Sequence, residues 1–308
     1  MPTEICRREF LRGGASLLSL AGMGLLIPKL ARASSSDRCL IIYWNEGGWD
    51  PSYVFDPHFE STALDRDPSA VAAQIDGLDF ADAESRPSVR AFLEDYASQT
   101  AFVNGIAVGS ISHSTCTRLM LTGSRKEEAS DLPTLVAAAT ASDLVLPHVV
   151  LSGPRFPGSN GHVMAPLSAT LTGTASGSLP AGSALADGAE DRIRAYLAQV
   201  AEGEVSDGMG ALRAQYRESL DRLEALEAAA GDISVATSST EAEVLSSGLS
   251  ALSGGLSRCL MLTGGQPERL GWDSHMNNHL AQDESFEKLF DDLSTLMALL
   301  ESTPAPGG

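Results

Sequence analysis

The run Cys39-Leu40-Ile41-Ile42-Tyr43-Trp44 is apolar at every position and stops at Asn45-Glu46-Gly47-Gly48. Apolar on both faces and closed by glycines, it predicts a central strand of a covered sheet. Three shorter apolar runs predict further strands: Ala101-Phe102-Val103, Val149-Val150-Leu151 and Cys259-Leu260-Met261-Leu262. Between them the apolar positions recur every three or four residues. Val89, Phe92, Leu93 and Tyr96 share one helical face behind Pro87, which suits a first helical turn. Asp131 followed by Pro133 opens a helix running to about Ala141. Leu212, Tyr216, Leu220 and Leu223 set another, which Gly231 ends. One more is expected from about Glu241 to Leu252. Phe286, Leu289, Phe290, Leu293, Leu296, Met297 and Leu300 mark the clearest amphipathic helix. Short apolar strands alternating with helices predict an α/β domain with a mostly parallel sheet. Residues 152–188 are rich in Gly, Ser, Thr and Pro, and read as a functional loop or as a stretch holding small strands.

The first residues follow a different plan. Arg7-Arg8-Glu9-Phe10-Leu11 precedes an apolar stretch from Gly14 to Ile27, and Ala31-Arg32-Ala33 offers a small-x-small cleavage site. A basic region, an apolar core and a small-residue cut make an export leader over residues 1–33. The paired arginines favour the twin-arginine machinery, which carries folded proteins. The apolar stretch is shorter than the ~20 residues a spanning helix needs, so no stable membrane span is expected after cleavage. The expected location is periplasmic or secreted, with residues 34–308 as one large domain. The chain has 21 basic and 40 acidic residues. The leader takes five basic and two acidic ones, so the remainder carries 16 against 38. So acidic a surface repels phosphate backbones and argues against nucleic-acid binding. Cys39, Cys116 and Cys259 remain after the leader, which does not suggest a disulfide framework. Cys39 and Cys259 both begin predicted strands, and one bridge between them or two buried thiols are both open readings.

Three segments carry candidate chemistry. Each follows a predicted strand or opens a helix, where sites form in open α/β sheets. In Gly47-Gly48-Trp49-Asp50 the carboxylate of Asp50 is placed as a metal ligand, or else belongs to a plain turn. In Ser112-His113-Ser114-Thr115-Cys116-Thr117-Arg118, a Ser at a helix start is a candidate nucleophile, with Arg118 for the oxygens of an anionic ester. Helix capping is the plainer use of the same serines. In Gly271-Trp272-Asp273-Ser274-His275-Met276-Asn277-Asn278-His279, one carboxylate and two imidazoles fall within seven residues. His275 and His279 would share a face of a helix, and with Asp273 they are plausible zinc or iron ligands. The alternative is a polar helix entry capped by Asp273.

Together RREFLRGG at 7–14, GGWD at 47–50, HSTCTRLMLTG at 113–123 and GWDSH at 271–275 resemble a bacterial family. It is the one called domain of unknown function 1501, with twin-arginine leaders, grouped with the alkaline phosphatase and sulfatase superfamily. The resemblance implies a three-layer α/β/α sandwich. It implies Asp50, Asp273 and His275 as metal ligands with His279 in reserve, and Ser114 as the nucleophile. The metal would be divalent, zinc before calcium or magnesium, and the substrate a small phosphate or sulfate ester. The family continues with another strand, a Ser-Glu-x-Gly-Arg-like segment and a later Asp-His pair. This sequence ends at Pro304-Ala305-Pro306-Gly307-Gly308 without them, so it is expected to be either a fragment of a longer protein or a shortened member, lacking the C-terminal strands and with an incomplete site. Cys116-Thr117-Arg118 also lacks the Cys-x-Pro-x-Arg pattern of a formylglycine sulfatase. A non-catalytic envelope protein that keeps the fold for binding or assembly is the other reading.

Overall fold

A computed structural model describes residues 38–140, 144–166, 195–196, 198–200, 210–228, 241–264 and 271–304. The expected leader, the Gly231 helix stop and most of the Gly/Ser-rich stretch lie outside these residues.

The fold is α/β, built on a four-stranded, all-parallel sheet. The strands are β1 (Leu40–Trp44), β4 (His148–Val150), β5 (Met164–Pro166) and β6 (Cys259–Thr263). Their order is β1-β6-β4-β5. Leu40 and His148 both align with Cys259, so side chains alternate in step across β1, β6 and β4. Ile41, Val149, Leu260 and Leu262 pack on one face against α5 (Glu241–Ser253) and α6 (Asn278–Ser302), through Leu245, Leu249 and Leu296. On the other face Ile42, Val150 and Met261 meet Leu121 of α2 (His113–Thr122). Leu40 and Cys259 meet Ala137 of α3 (Leu132–Ala139) on that same face. Helices on both faces explain why β6 and β4 are apolar at nearly every position.

Local chemistry sets the helix ends. The carboxylate of Asp131 accepts from the Thr134 N–H at 2.9 Å, capping α3. Pro87 opens α1 (Pro87–Tyr96), which buries Val89, Phe92 and Leu93. Gly123, at φ 65°, closes α2 in the left-handed conformation. The helix α4 spans Gly210–Ala228.

Three expectations change. β1, expected as a central strand, lies at one end of the described strand order beside β6; helices cover both its faces through Ile41 and Ile42, which makes the run apolar without a strand on each side. Ala101-Phe102-Val103 is not a strand; it has no regular structure, and none of the described strands pairs with it. Three apolar residues without a neighbouring ladder do not hold a strand. Conversely, β2 (Val71–Ile75) and β3 (Leu78–Asp82) form an antiparallel hairpin that the apolar pattern did not suggest. Its turn is Asp76-Gly77, both at positive φ (47° and 83°), the geometry that matches strand twist in a two-residue hairpin. β2 is largely exposed, so its sequence VAAQI shows little alternation. β3 buries Phe80 beside Tyr53, Val54 and Leu93.

Within the Gly/Ser-rich stretch, the described part holds a 3-10 helix, Gly158–Val163, and then β5. The three described cysteines are free. Cys259 is buried, and burial pushes its thiol up to about 12; Cys39 is exposed rather than buried. Among the described residues no helix is long and apolar enough to cross a membrane.

Candidate functional site

The carboxyl ends of β1 and β6 open onto the same edge, and the start of α2 stands beside them. Gly47, at φ 133°, brings its backbone so close to Trp272 that a Cβ there would lie 2.5 Å from the Trp272 Cβ. A Cβ on Gly48 would lie 3.9 Å from the Asp273 Oδ1. Asp273 Oδ2 faces two imidazoles, the His275 Nε2 at 3.2 Å and the His113 Nε2 at 3.5 Å. The segments 47–50, 112–118 and 271–275, far apart in sequence, therefore meet at one sheet edge.

A buried amide ties two of these segments together. Gln282 on α6 is fully buried. Its Oε1 accepts from the Asp50 N–H at 2.8 Å, and its Nε2 donates to the Trp272 carbonyl at 3.3 Å and the Ser274 Oγ at 3.4 Å. Aromatic packing adds to the clamp: Trp49 lies edge-on to Phe55 and Trp272, with centroids 5.2 and 5.8 Å apart.

The side chains expected to act are placed unevenly. Asp50 accepts from the Ser52 N–H at 3.0 Å and the Ser52 hydroxyl at 2.6 Å, both on Oδ1, and so caps the short helix Pro51–Tyr53. Its Oδ2 has only a 3.5 Å approach from the Asn278 amide. The turn reading and an accessible second oxygen thus hold together. Ser114 is exposed in the first turn of α2; the cap position belongs to Ser112, whose Oγ is 3.3 Å from the Ser114 Oγ. Arg118 lays its guanidinium over the Phe156 ring at 4.6 Å and reaches the Lys126 carbonyl at 3.4 Å. No contact joins it to Asp273.

The shared helical face of His275 and His279 does not form. Asn277 sits in the left-handed conformation at φ 56°, and α6 begins only at Asn278. His275 is therefore in the loop with Asp273, while His279 Nδ1 bonds the Tyr53 hydroxyl and its Nε2 lies 3.8 Å from Asp65. Asp273 does not cap α6 either.

Two ligands of one tetrahedral metal at ordinary bond lengths stand about 3.3 Å apart. The Asp273 to His275 separation fits that spacing, and His113 comes near it. Among the described residues no three His, Cys, Asp or Glu side chains are gathered as a full ligand set.

Beside this edge lies a cavity of about 670 Å³. Trp44, Trp49, Phe102, Val103 and Ile106 are among the residues that line it. His113 borders it, so one imidazole faces both the cavity and Asp273. His113 and Gln282 were the residues the sequence did not single out. Gln282 carried a signal, since it occupies the apolar stripe one turn before Phe286. His113 adjoins Ser114 and stood out only by its position.

Comparison of the chain with models of protein families, with curated proteins and with solved structures finds no match.

Proposed function

We propose that the chain is an exported, hydrolase-like protein of the alkaline phosphatase superfamily, acting on phosphate or sulfate esters at the carboxyl edge of its sheet. The observation that carries this reading is the meeting of segments 47–50, 112–118 and 271–275 around Asp273. Ser114 is the nucleophile of this reading, exposed where unsatisfied N–H groups and the positive end of the α2 dipole favour an anion. Asp273 and His275 would hold a divalent metal, zinc in the first instance, with Asp50 Oδ2 as a further donor. A bound metal would supply positive charge for the ester oxygens and favour ionisation of the attacking hydroxyl. The helices on both sheet faces support the three-layer sandwich of that superfamily.

A non-catalytic envelope protein is the second reading. It is favoured by the structural use of two expected ligands: Asp50 caps a helix and His279 bonds Tyr53. Metal content after purification, together with aryl phosphate and aryl sulfate hydrolysis, separates the two. The enzyme reading expects weakly held metal and slow hydrolysis lost in Ser114→Ala and Asp273→Asn. Hydrolysis no faster than buffer with zinc, calcium or magnesium added, or equal in Ser114→Ala, would leave the second reading standing.

A further inference from the structure

The cavity beside Asp273 has a chemistry of its own. At about 670 Å³ it falls in the range that encloses a small organic ligand. Its walls are mainly aromatic and aliphatic, and among the described residues no Lys or Arg side chain lines it. Asp56, also in the lining, is paired with His58 at 3.0 Å. Four large apolar side chains on its wall remain open to solvent: Val103 at 62 %, Ile106 at 59 %, Met120 at 45 % and Trp49 at 42 % exposure. So much exposed apolar surface around one hollow marks a place where something apolar binds. Without a cationic partner, an anion inside such walls would lose its hydration uncompensated. The occupant is therefore uncharged within the cavity. Any charge it carries belongs beside His113, which lines the cavity and links it through Asp273 to His275.

We infer that the cavity holds the apolar, uncharged alcohol portion of the ester, an aryl group or a compact hydrocarbon, with the ester's anionic end at His113. This names the substrate class of the site proposed above and rests on that reading only for the reactive end. Hydrolysis exchanges the ester's phosphorus–oxygen or sulfur–oxygen bond for one to water's oxygen, and releases the alcohol with a proton on its oxygen. The free alcohol should then bind on its own, whether or not turnover occurs.

The experiment is calorimetric titration of the full chain with 2-naphthol, set beside hydrolysis of 2-naphthyl phosphate and methyl phosphate. The wild type should bind 2-naphthol saturably. Val103→Asp/Ile106→Asp and, separately, Met120→Glu put charge on the lining, all at exposed positions that folding tolerates. Each variant should weaken binding at least tenfold while its circular dichroism stays that of the wild type. No saturable binding by the wild type, or binding unchanged in both variants, overturns the inference. So does displacement of 2-naphthol by a blocked, extended apolar pentapeptide at lower concentration, which would make the hollow a strand-docking slot beside β1. Saturable naphthol binding lost in the variants, with neither ester hydrolysed, supports the cavity and removes the hydrolase reading alone.

Discussion

Gln282 joins α6 to the two loops that meet at the site. Replacing it with Leu keeps the volume and removes every hydrogen bond, leaving the Asp50 N–H and the Trp272 carbonyl without their partner. A buried polar group left unmade costs about 1–3 kcal/mol. Gln282→Leu should lower stability by about 2 kcal/mol or more in urea unfolding, and Gln282→Glu, which keeps an acceptor for Asp50, should lose less. Equal loss in both would mean that the bond to Asp50 is not what matters. His148 is a second buried polar residue, with Nδ1 3.0 Å from the Thr134 hydroxyl and Nε2 unpartnered. Burial brings its pKa down to about 4, against the opposing pull of Asp131. The folded protein resists protonating it and the unfolded chain does not. Its contribution is therefore complete above about pH 6.5 and declines as pH falls toward 4, by up to about 3 kcal/mol. Urea unfolding between pH 7.5 and 4.5 should show this decline in the wild type and a smaller one in His148→Gln. Parallel curves would show that the carboxylates alone set the acid sensitivity.

At the level of elements, the hairpin β2–β3 braces the site from behind. The Ala81 N–H donates to the Val54 carbonyl at 3.0 Å, directly after the short helix that Asp50 caps. Val at position 77 cannot easily adopt φ 83°, and the left-handed region costs a residue with a Cβ roughly 1–2 kcal/mol. Gly77→Val should destabilise by that much or more, since branching adds to the strain; chemical denaturation measures it, and an unchanged midpoint would refute the turn assignment. The hairpin also shows where sequence reading stopped. Strands β1 and β6 were legible because burial on both faces leaves an unbroken apolar run. β2 was not, because an exposed edge imposes no pattern, although Asp76-Gly77 carried the turn signal. The same limit applied to the site. Loops at strand ends could be found from glycines and polar clusters, and they do converge. Which way each side chain turns depends on helix starts, and Asn277 moved that start past His275.

Across the whole molecule, charge and targeting belong together in one expectation. If residues 1–33 direct export, Arg7→Lys/Arg8→Lys should retain the protein in the cytoplasm, while the wild type is found outside it beginning near Ser34. Cell fractionation with N-terminal sequencing checks this; unchanged export, or a mature protein still starting at Met1, would reject it. α6 packs on α1 beside Phe290 and on the sheet through Leu296, so one helix joins two of the apolar clusters.

The pairing of β1 with β6 sets the order of events in time. Leu40 meets Cys259, so the first strand waits for a partner synthesised some 200 residues later. Closing so long a loop costs only a little more entropy than a shorter one, since the cost grows as the logarithm of length. The search is nevertheless slow, because contacts this distant in sequence delay the folding barrier's crossing. Throughout that interval β1, an apolar run, lacks the one partner it has among the described strands. Completing this pair therefore requires that residues 259–263 have emerged.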